Sequence, residues 1–67
     1  MNRTYVSSTD LVSVGYENGT LEIEFKGNRV YQYFNVPQSV YQSLMAAFSK
    51  GTYFHANIKD RYQYREI

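Results

Sequence analysis

The first half of the chain places apolar side chains at every second position, which is the pattern of β-strands with one buried face. Two such segments flank Asn18-Gly19, and their apolar residues are Val12, Val14 and Tyr16 before it and Leu21, Ile23 and Phe25 after it. Because Asn and Gly both tolerate the positive φ of a type I′ turn, the two segments predict a hairpin with Tyr16 opposite Leu21 and Val14 opposite Ile23.

A third strand is predicted to follow a turn at Gly27-Asn28. A two-residue loop there would bury the amide of Gln32, and an unpaired buried amide costs about 1 to 3 kcal/mol. A three-residue loop would instead leave Gln32 in water and place Tyr31 and Tyr33 across from Phe25 and Ile23. We favour this second register, because a tyrosine can bury its ring while its hydroxyl reaches the edge of the core.

The second half of the chain changes to a helical spacing of three and four residues after Pro37, whose fixed φ suits a first helical turn. This spacing predicts an amphipathic helix of about 12 residues, with the inward residues Val40, Tyr41, Leu44, Ala47 and Phe48. Lys50 and Gly51 suit its C-terminal end. Asn57 suits the N-cap of a second helix, which would turn Ile58 and Tyr62 inward.

Together these elements predict an α+β fold, in which a three-stranded antiparallel meander packs against a C-terminal helix pair in the order β-β-β-α-α. With 67 residues, the chain is expected to form a single domain, 1–67. It contains one His and no Cys, so neither a disulfide nor the usual structural zinc site is expected. Eight Tyr and four Phe must therefore supply much of a small core, which self-association would stabilise further.

The formal net charge of +1 gives the chain no overall attraction to nucleic acid or membrane. Basic residues are nevertheless concentrated at the C-terminal end, where residues 50–67 contain Lys50, Lys59, Arg61 and Arg65 against Asp60 and Glu66. No apolar segment approaches the ~20 residues of a transmembrane helix, and the first residues lack the apolar core of a signal peptide. A cytoplasmic protein without a membrane partner is therefore expected.

One set of spacings extends across both halves and combines Tyr31-x-Tyr33 with residues of the predicted helices: Val36, Pro37, Tyr41, Leu44, Ala47, Ser49, Gly51, Phe54, Ile58 and Tyr62. In this pattern the chain resembles the KTSC domain, named for the C-terminal region of some lysine-tRNA synthetases, from about Ser8 to Tyr64. The resemblance implies a stand-alone bacterial or phage protein, and the synthetase context suggests RNA binding. His55 stands where Asn is common in that family.

The candidate ligand-binding residues lie in the connection before the predicted second helix and in that helix: Lys50, Tyr53, His55, Asn57, Lys59, Arg61, Tyr64 and Arg65. A phosphate would bind at the positive helix end near Asn57, and Tyr53 or His55 would stack on a base. Arg61, Tyr64 and Arg65 would extend this surface as a basic and aromatic strip. The sequence therefore predicts a small module that binds RNA or a nucleotide, although a solvated connection without a ligand is a competing interpretation.

Two other surfaces were candidates for recognition. Tyr31 and Tyr33 would stack on bases from an open sheet face, but the favoured register packs them in the core. The same register leaves Phe34 outside with Val30 beside it, which favours contact with another protein chain. The alternative function is therefore a protein-interaction module or homo-oligomer, including a phage factor that acts on a host protein or a signalling nucleotide.

Residues of the types that carry catalysis form no recognisable motif. The chain has no Cys nucleophile, no Ser-x-x-Lys, no glycine-rich phosphate loop and no metal-ligand spacing around His55. Glu22 and Glu24 share one face of a strand, where pairing with Lys26 or Arg29 is a simpler use than the carboxylate pair of a glycosidase. We expect no enzyme activity, no cofactor and no metal.

Overall fold

A computed structural model describes the chain from Met1 to Ile67 as a five-stranded antiparallel sheet with two helices packed on one face. The strands lie side by side in the order of their numbers: β1 (Thr4–Tyr5), β2 (Leu11–Glu17), β3 (Thr20–Phe25), β4 (Arg29–Tyr33) and β5 (Tyr64–Glu66). Between β4 and β5 the chain forms the helices α1 (Gln38–Ala46) and α2 (Lys50–Asn57). The predicted α+β class is confirmed, but the predicted three strands are extended on both sides by β1 and β5.

The first hairpin forms as predicted. Tyr16 lies opposite Leu21 and Val14 lies opposite Ile23. The turn between the strands has positive φ at both central residues, 52° at Asn18 and 83° at Gly19. These are the signs that a type I′ turn requires, so the local turn chemistry sets the register of β2 and β3.

The other end of this hairpin contains a β-bulge that the alternation does not reveal. Leu11 pairs with Phe25 and Ser13 pairs with Glu24, which leaves Val12 without a partner on β3. An extra residue of this kind reverses the side-chain parity on one strand. Leu11 therefore takes the inward position that was predicted for Val12, and it is buried in the core.

The second turn is the predicted three-residue connection, with positive φ at Gly27 and Asn28. Tyr31 and Tyr33 point toward the helices as predicted, but they lie opposite Ile23 and Leu21, one pair further along than expected. Gln32 is half-buried rather than in water, and its Nε2 donates to Oε1 of Glu22 at 2.8 Å. The expected cost of burying this amide is therefore offset by a hydrogen bond to a charged group.

The core lies between the sheet and the helices, and residues from both layers are buried in it: Leu11, Val14, Leu21, Ile23, Tyr33, Val36, Leu44, Phe54 and Ile58. Tyr16 of β2 stacks on Tyr41 of α1, with ring centroids 5.0 Å apart and planes at 12°. The hydroxyl of Tyr16 also donates to the carbonyl of Val36. These contacts hold α1 over β2, while Phe54 places α2 over the middle of the sheet.

Both helix boundaries predicted around Lys50 and Asn57 were wrong. The Ser49 hydroxyl accepts from the backbone N–H of Thr52 at 3.3 Å, so Ser49 caps α2 instead of ending α1. The first helix ends at Ala46, and Phe48, predicted to be inward, is fully exposed. Asn57 is the last residue of α2, and its side chain donates to the carbonyl of Tyr53 at 3.2 Å.

The sheet face opposite the helices has no layer over it, and a polar row runs across it. Arg3 bonds to the carboxylate of Glu22, and its Nη2 lies 3.8 Å from Oε1 of Glu24. These partners replace the predicted pairing of the two glutamates with Lys26 or Arg29. Val30 lies on this outer face opposite Glu24, and the polar Gln32 is the next residue along β4 on that face. Val30 is half-buried, as is Phe34, which follows the last residue of β4.

Candidate functional site

The inner face of β4 and β5 is only partly covered by α2. An open cleft of about 430 Å³ lies between this face of the sheet and α2. Five aromatic side chains line it: Phe25, Tyr31, Tyr33, Phe54 and Tyr64. Each strand brings its rings to the cleft because alternate residues share a face, so Tyr31 and Tyr33 project together. Tyr64 lies directly opposite Tyr33 and remains 56% exposed.

The three tyrosines form a continuous aromatic floor. The ring centroids of Tyr31 and Tyr33 are 6.4 Å apart, and those of Tyr33 and Tyr64 are 5.7 Å apart. Phe54 meets the Tyr33 ring edge-on, with centroids 5.6 Å apart. Neighbouring rings are thus already in contact, and Tyr33 and Phe54 are buried, so a planar ligand would lie on the accessible faces of Tyr31 and Tyr64 rather than between rings.

One end of the floor is fixed by Arg29. Its Nη2 donates to the Tyr31 hydroxyl at 2.7 Å, and its guanidinium carbon lies 5.6 Å from the Tyr31 ring centre. Arg29 also pairs with the Glu66 carboxylate at 3.3 Å, and its hydrogen bond and charge hold the Glu66 pKa below the usual value. The first residue of β4 therefore ties β5 to the sheet and orients a cleft tyrosine.

Polar groups of both charges surround the aromatic floor, namely Asp10, Lys26, His55, Lys59 and Asp60. The chain forms three ion pairs, and none of them includes these five residues. Their side chains also donate or accept no hydrogen bond within the protein. The rim consequently offers Lys26, Lys59 and Asp60 as charged groups that are free to meet a ligand, whereas the Asp10 carboxylate lies beside Gly51 in the first turn of α2.

Tyr33 contributes a neutral phenol to the cleft. Burial raises the pKa of Tyr33 to about 12, and the neighbouring hydroxyls of Tyr31 and Tyr64 and the Asp60 carboxylate act in the same direction. A phenol with this pKa keeps its proton throughout the physiological range. Its hydroxyl can therefore donate a hydrogen bond to a ligand as well as accept one.

Of the predicted ligand-binding residues, the fold brings three to the cleft, namely His55, Lys59 and Tyr64. The remaining five lie elsewhere. Lys50 donates to the carbonyl of Ala47 at 3.1 Å, and Arg61 donates to the carbonyl of Ala56 at 3.1 Å. Tyr53 packs against the core, and Asn57 is the last residue of α2 rather than the N-cap of a helix.

The basic and aromatic strip predicted along the last helix is divided, because Arg61 and Tyr64 line a shallow pocket together and Arg65 does not belong to it. Residues 64–66 form β5 instead of a helix, so Tyr64 and Arg65 point to opposite faces of the sheet. Arg65 lies opposite Gln32 on the outer face. The phosphate site predicted at a helix start near Asn57 is also wrong, because that residue lies at the negative end of α2.

Sequence reasoning missed most of the cleft because it placed its rings in a closed core or left them unassigned. Phe25, Tyr31 and Tyr33 were predicted to face the helices, which they do, but the helices leave part of that face open. The alternation of Tyr64, Arg65 and Glu66 was the available signal for β5. Read as a strand beside β4, it would have placed a third tyrosine next to Tyr33.

The structure contains neither a candidate metal site nor a helix that could span a membrane. No group of three or more His, Cys, Asp or Glu residues is positioned to hold a metal ion. Neither helix combines the length and the apolar character needed to cross a membrane.

Comparison with solved structures supports the fold directly. A crystal structure of a KTSC domain protein from Yersinia pestis superimposes with a TM-score of 0.96 at 41% sequence identity. The match covers 98% of this chain and 96% of that one. The two proteins thus share both their architecture and their length.

Sequence comparisons find two kinds of relative. A lysine–tRNA ligase from Trichormus variabilis is 46% identical over 48 residues, which are 72% of this chain but 9% of the ligase. An uncharacterized protein from Stutzerimonas stutzeri is 39% identical, and the match covers 100% of this chain and 99% of that protein. The family model of the KTSC domain matches residues 7–62. The chain therefore belongs to the KTSC domain family.

Proposed function

We propose that this protein is a non-catalytic binding domain that takes a base of single-stranded RNA, or of a free nucleotide, on its aromatic cleft. The observation that carries the proposal is the open cleft, in which the accessible rings of Tyr31 and Tyr64 contact each other and the buried ring of Tyr33. Every nucleobase has a flat face, and stacking on an aromatic side chain stabilises binding by about 1 to 3 kcal/mol per base. The volume of about 430 Å³ is within the range of small-molecule sites.

Charge at the rim supports the same ligand class. Lys26 and Lys59 are unpaired and lie beside the aromatic floor, where their ammonium groups would contact a phosphate. The ligases that share this segment act on a tRNA by name, which makes RNA a natural candidate. A cytoplasmic location, where both RNA and nucleotides are abundant, is part of this proposal.

The experiment uses two exposed tyrosines on opposite faces of the sheet. Tyr64 belongs to the cleft and is 56% exposed, whereas Tyr5 is 81% exposed and lies on the outer face, opposite Ser13. Fluorescence anisotropy of labelled single-stranded RNA oligonucleotides at low salt would measure affinity for the protein and each variant. We expect Tyr64→Ala to weaken binding about 5- to 150-fold, as loss of one stacking contact predicts.

Tyr5→Ala is the matched control, because it removes the same side chain from the other edge strand, and it should leave affinity unchanged. Absence of saturable binding by any RNA or mononucleotide would remove the proposal. Equal weakening by the two substitutions would place the ligand outside the cleft.

A second candidate is contact with another protein chain or with a second copy of this one, which the full exposure of Phe48 favours. Aromatic residues, phenylalanine among them, are enriched at protein–protein interfaces relative to the rest of the surface. Light scattering at high concentration tests self-association, which Phe48→Ser would abolish if that ring forms the contact.

The predicted surface at Val30 and Phe34 is a second site for the same experiment, with Phe34→Ser as its variant. The predicted phage factor acting on a host protein or signalling nucleotide stays a prediction.

A further inference from the structure

Asp60 is the acidic group at the tyrosine end of the cleft. It lines the cleft together with Tyr33 and Tyr64, forms no ion pair, and its carboxylate accepts no hydrogen bond from the protein. An ionised carboxylate is an acceptor only, so in a site for a nucleobase it can bind only donor groups on the base edge. This constraint distinguishes among the bases.

We propose that the cleft selects guanine, with the Asp60 carboxylate accepting hydrogen bonds from the base N1–H and 2-amino groups. This inference rests on the proposed function and specifies its ligand. Guanine presents two adjacent donors on that edge, which match the two oxygens of one carboxylate. Adenine and cytosine each present one amino donor beside a ring acceptor, and uracil presents one N–H between two carbonyl oxygens. Bidentate pairing of this kind gives the strongest and most selective polar contact.

The second carboxylate of the cleft, Asp10, has a different environment. A Cβ built on Gly51 would lie 3.2 Å from Oδ2 of Asp10, so this carboxylate packs against the first turn of α2. Negative charge is favourable there, because the backbone N–H groups of a helix start carry partial positive charge. Asp10 thus has a structural reason for its position, whereas the Asp60 side chain has no such contact.

The backbone conformation of Asp60 allows substitutions that change the side chain without changing the turn. Its φ is 64°, in the left-handed region that Asn and Gly also adopt readily. Asp60→Asn therefore keeps the turn and the size of the side chain, while one acceptor oxygen becomes a donor. Asp60→Gly keeps the turn and removes the side chain altogether, which provides a second variant if the first alters the fold.

Isothermal titration calorimetry of the full chain with GMP, AMP, CMP and UMP would measure the selectivity. AMP is the closest comparison, because it stacks as a purine, carries the same phosphate and lacks the donor pair. We expect GMP to bind about 5- to 150-fold more tightly than AMP, which is the discrimination of one bidentate pair. IMP, which keeps N1–H and lacks the 2-amino group, should lie between them.

Asp60→Asn and Asp60→Gly should each remove the preference for GMP and leave AMP affinity within about twofold, whereas the matched control Asp10→Asn should keep the preference. Equal binding of all four nucleotides to the unmodified protein would overturn this inference and leave the proposed function standing. Failure of all four to bind, with RNA also inactive, would overturn both. A GMP preference that survives in both Asp60 variants would also refute the assigned role of this carboxylate.

Discussion

At the scale of single residues, the least expected feature is the nearly buried carboxylate of Glu22. Its partners are Arg3 from the N-terminal segment and the amide of Gln32, which donates at 2.8 Å. Burial alone would raise the pKa of Glu22, but the two hydrogen bonds and the charge of Arg3 outweigh it, so the pKa lies below its usual value of 4.5. Sequence reasoning could not find the Arg3 pairing, because Arg3 is 19 residues from Glu22 and lies just before a two-residue strand.

The ion pair should make stability depend on pH in a specific direction. The ionised form of Glu22 stabilises the fold above pH 4.5, and this contribution is lost as the pH falls through the lowered pKa. Arg3→Met would leave the carboxylate nearly buried with one partner fewer. We expect the free energy of unfolding to fall by about 1 to 3 kcal/mol at pH 7. The deficit relative to the unmodified protein should shrink at an acid pH low enough to protonate Glu22.

Urea unfolding at both pH values measures this difference, since urea does not screen charges as guanidinium salts do. Glu17→Gln is a suitable control, because Glu17 is an exposed carboxylate outside the ion pairs. It should change neither the stability nor its pH dependence. An Arg3→Met deficit that stays the same size from pH 7 down to the acid unfolding range would contradict the assignment.

At the scale of elements, the helical spacing after Pro37 correctly identified the buried face of α1 but extended it too far. Leu44 is fully buried, whereas Phe48, one turn further along, is fully exposed. The reason is local: the Ser49 hydroxyl caps α2, and the Lys50 side chain bonds to the carbonyl of Ala47. A serine that begins a helix looks the same in sequence as a polar residue that ends one.

This difference predicts that substitutions at Leu44 and Phe48, two apolar positions on the same helical spacing, will change stability by very different amounts. Leu44→Ala removes buried methyl groups and should lower the free energy of unfolding by about 2 to 5 kcal/mol. Phe48→Ser should change it by no more than about 0.5 kcal/mol, because the ring packs against nothing. Thermal or urea unfolding of the two variants measures both. A large loss of stability in Phe48→Ser would indicate that the ring packs in the core in solution.

Among the strands, too, the elements fixed by a local turn were predicted and the others were missed. The hairpin of β2 and β3 was predicted with its register, because Asn18-Gly19 fixes it within the loop itself. The edge strands were not, because they contain 2 and 3 residues, and β5 pairs with a strand on the far side of both helices in the sequence. Alternation over so few residues does not distinguish a strand from a helix turn. The missing β5 is also why Tyr64 was assigned to a helix.

At the scale of the whole molecule, the aromatic residues divide between a closed core and an open cleft. Tyr16 of β2 and Tyr41 of α1 stack in the closed core between sheet and helix. No helix covers β5 in the same way, and Tyr64 stays accessible. Sequence patterning predicted that Tyr31 and Tyr33 face the helices, but the extent of cover depends on where α2 starts. That start was placed at Asn57 rather than Ser49, so the cleft was hidden from sequence reasoning.

The charge distribution of the whole molecule predicts weak dependence of RNA binding on salt. The net charge is +1, and the cleft offers two lysines for phosphate, Lys26 and Lys59. Each phosphate contact to a single strand contributes a slope of about −0.7 to log K against log salt concentration, so two contacts predict about −1.4. Lys26→Gln should reduce the slope by about 0.7. Lys50→Gln should leave it unchanged, because the Lys50 ammonium bonds to Ala47 away from the cleft.

Anisotropy titrations over a series of KCl concentrations measure these slopes for the protein and both variants. The two lysines carry the same charge and differ in position, so the comparison separates a local contact from the field of the whole protein. A slope near −3 or steeper would require phosphate contacts beyond the cleft, including the outer-face Arg65. With a slope of about −1.4, a rise of about threefold in KCl concentration should weaken cleft-bound RNA about fivefold, because only the phosphate contacts release counterions.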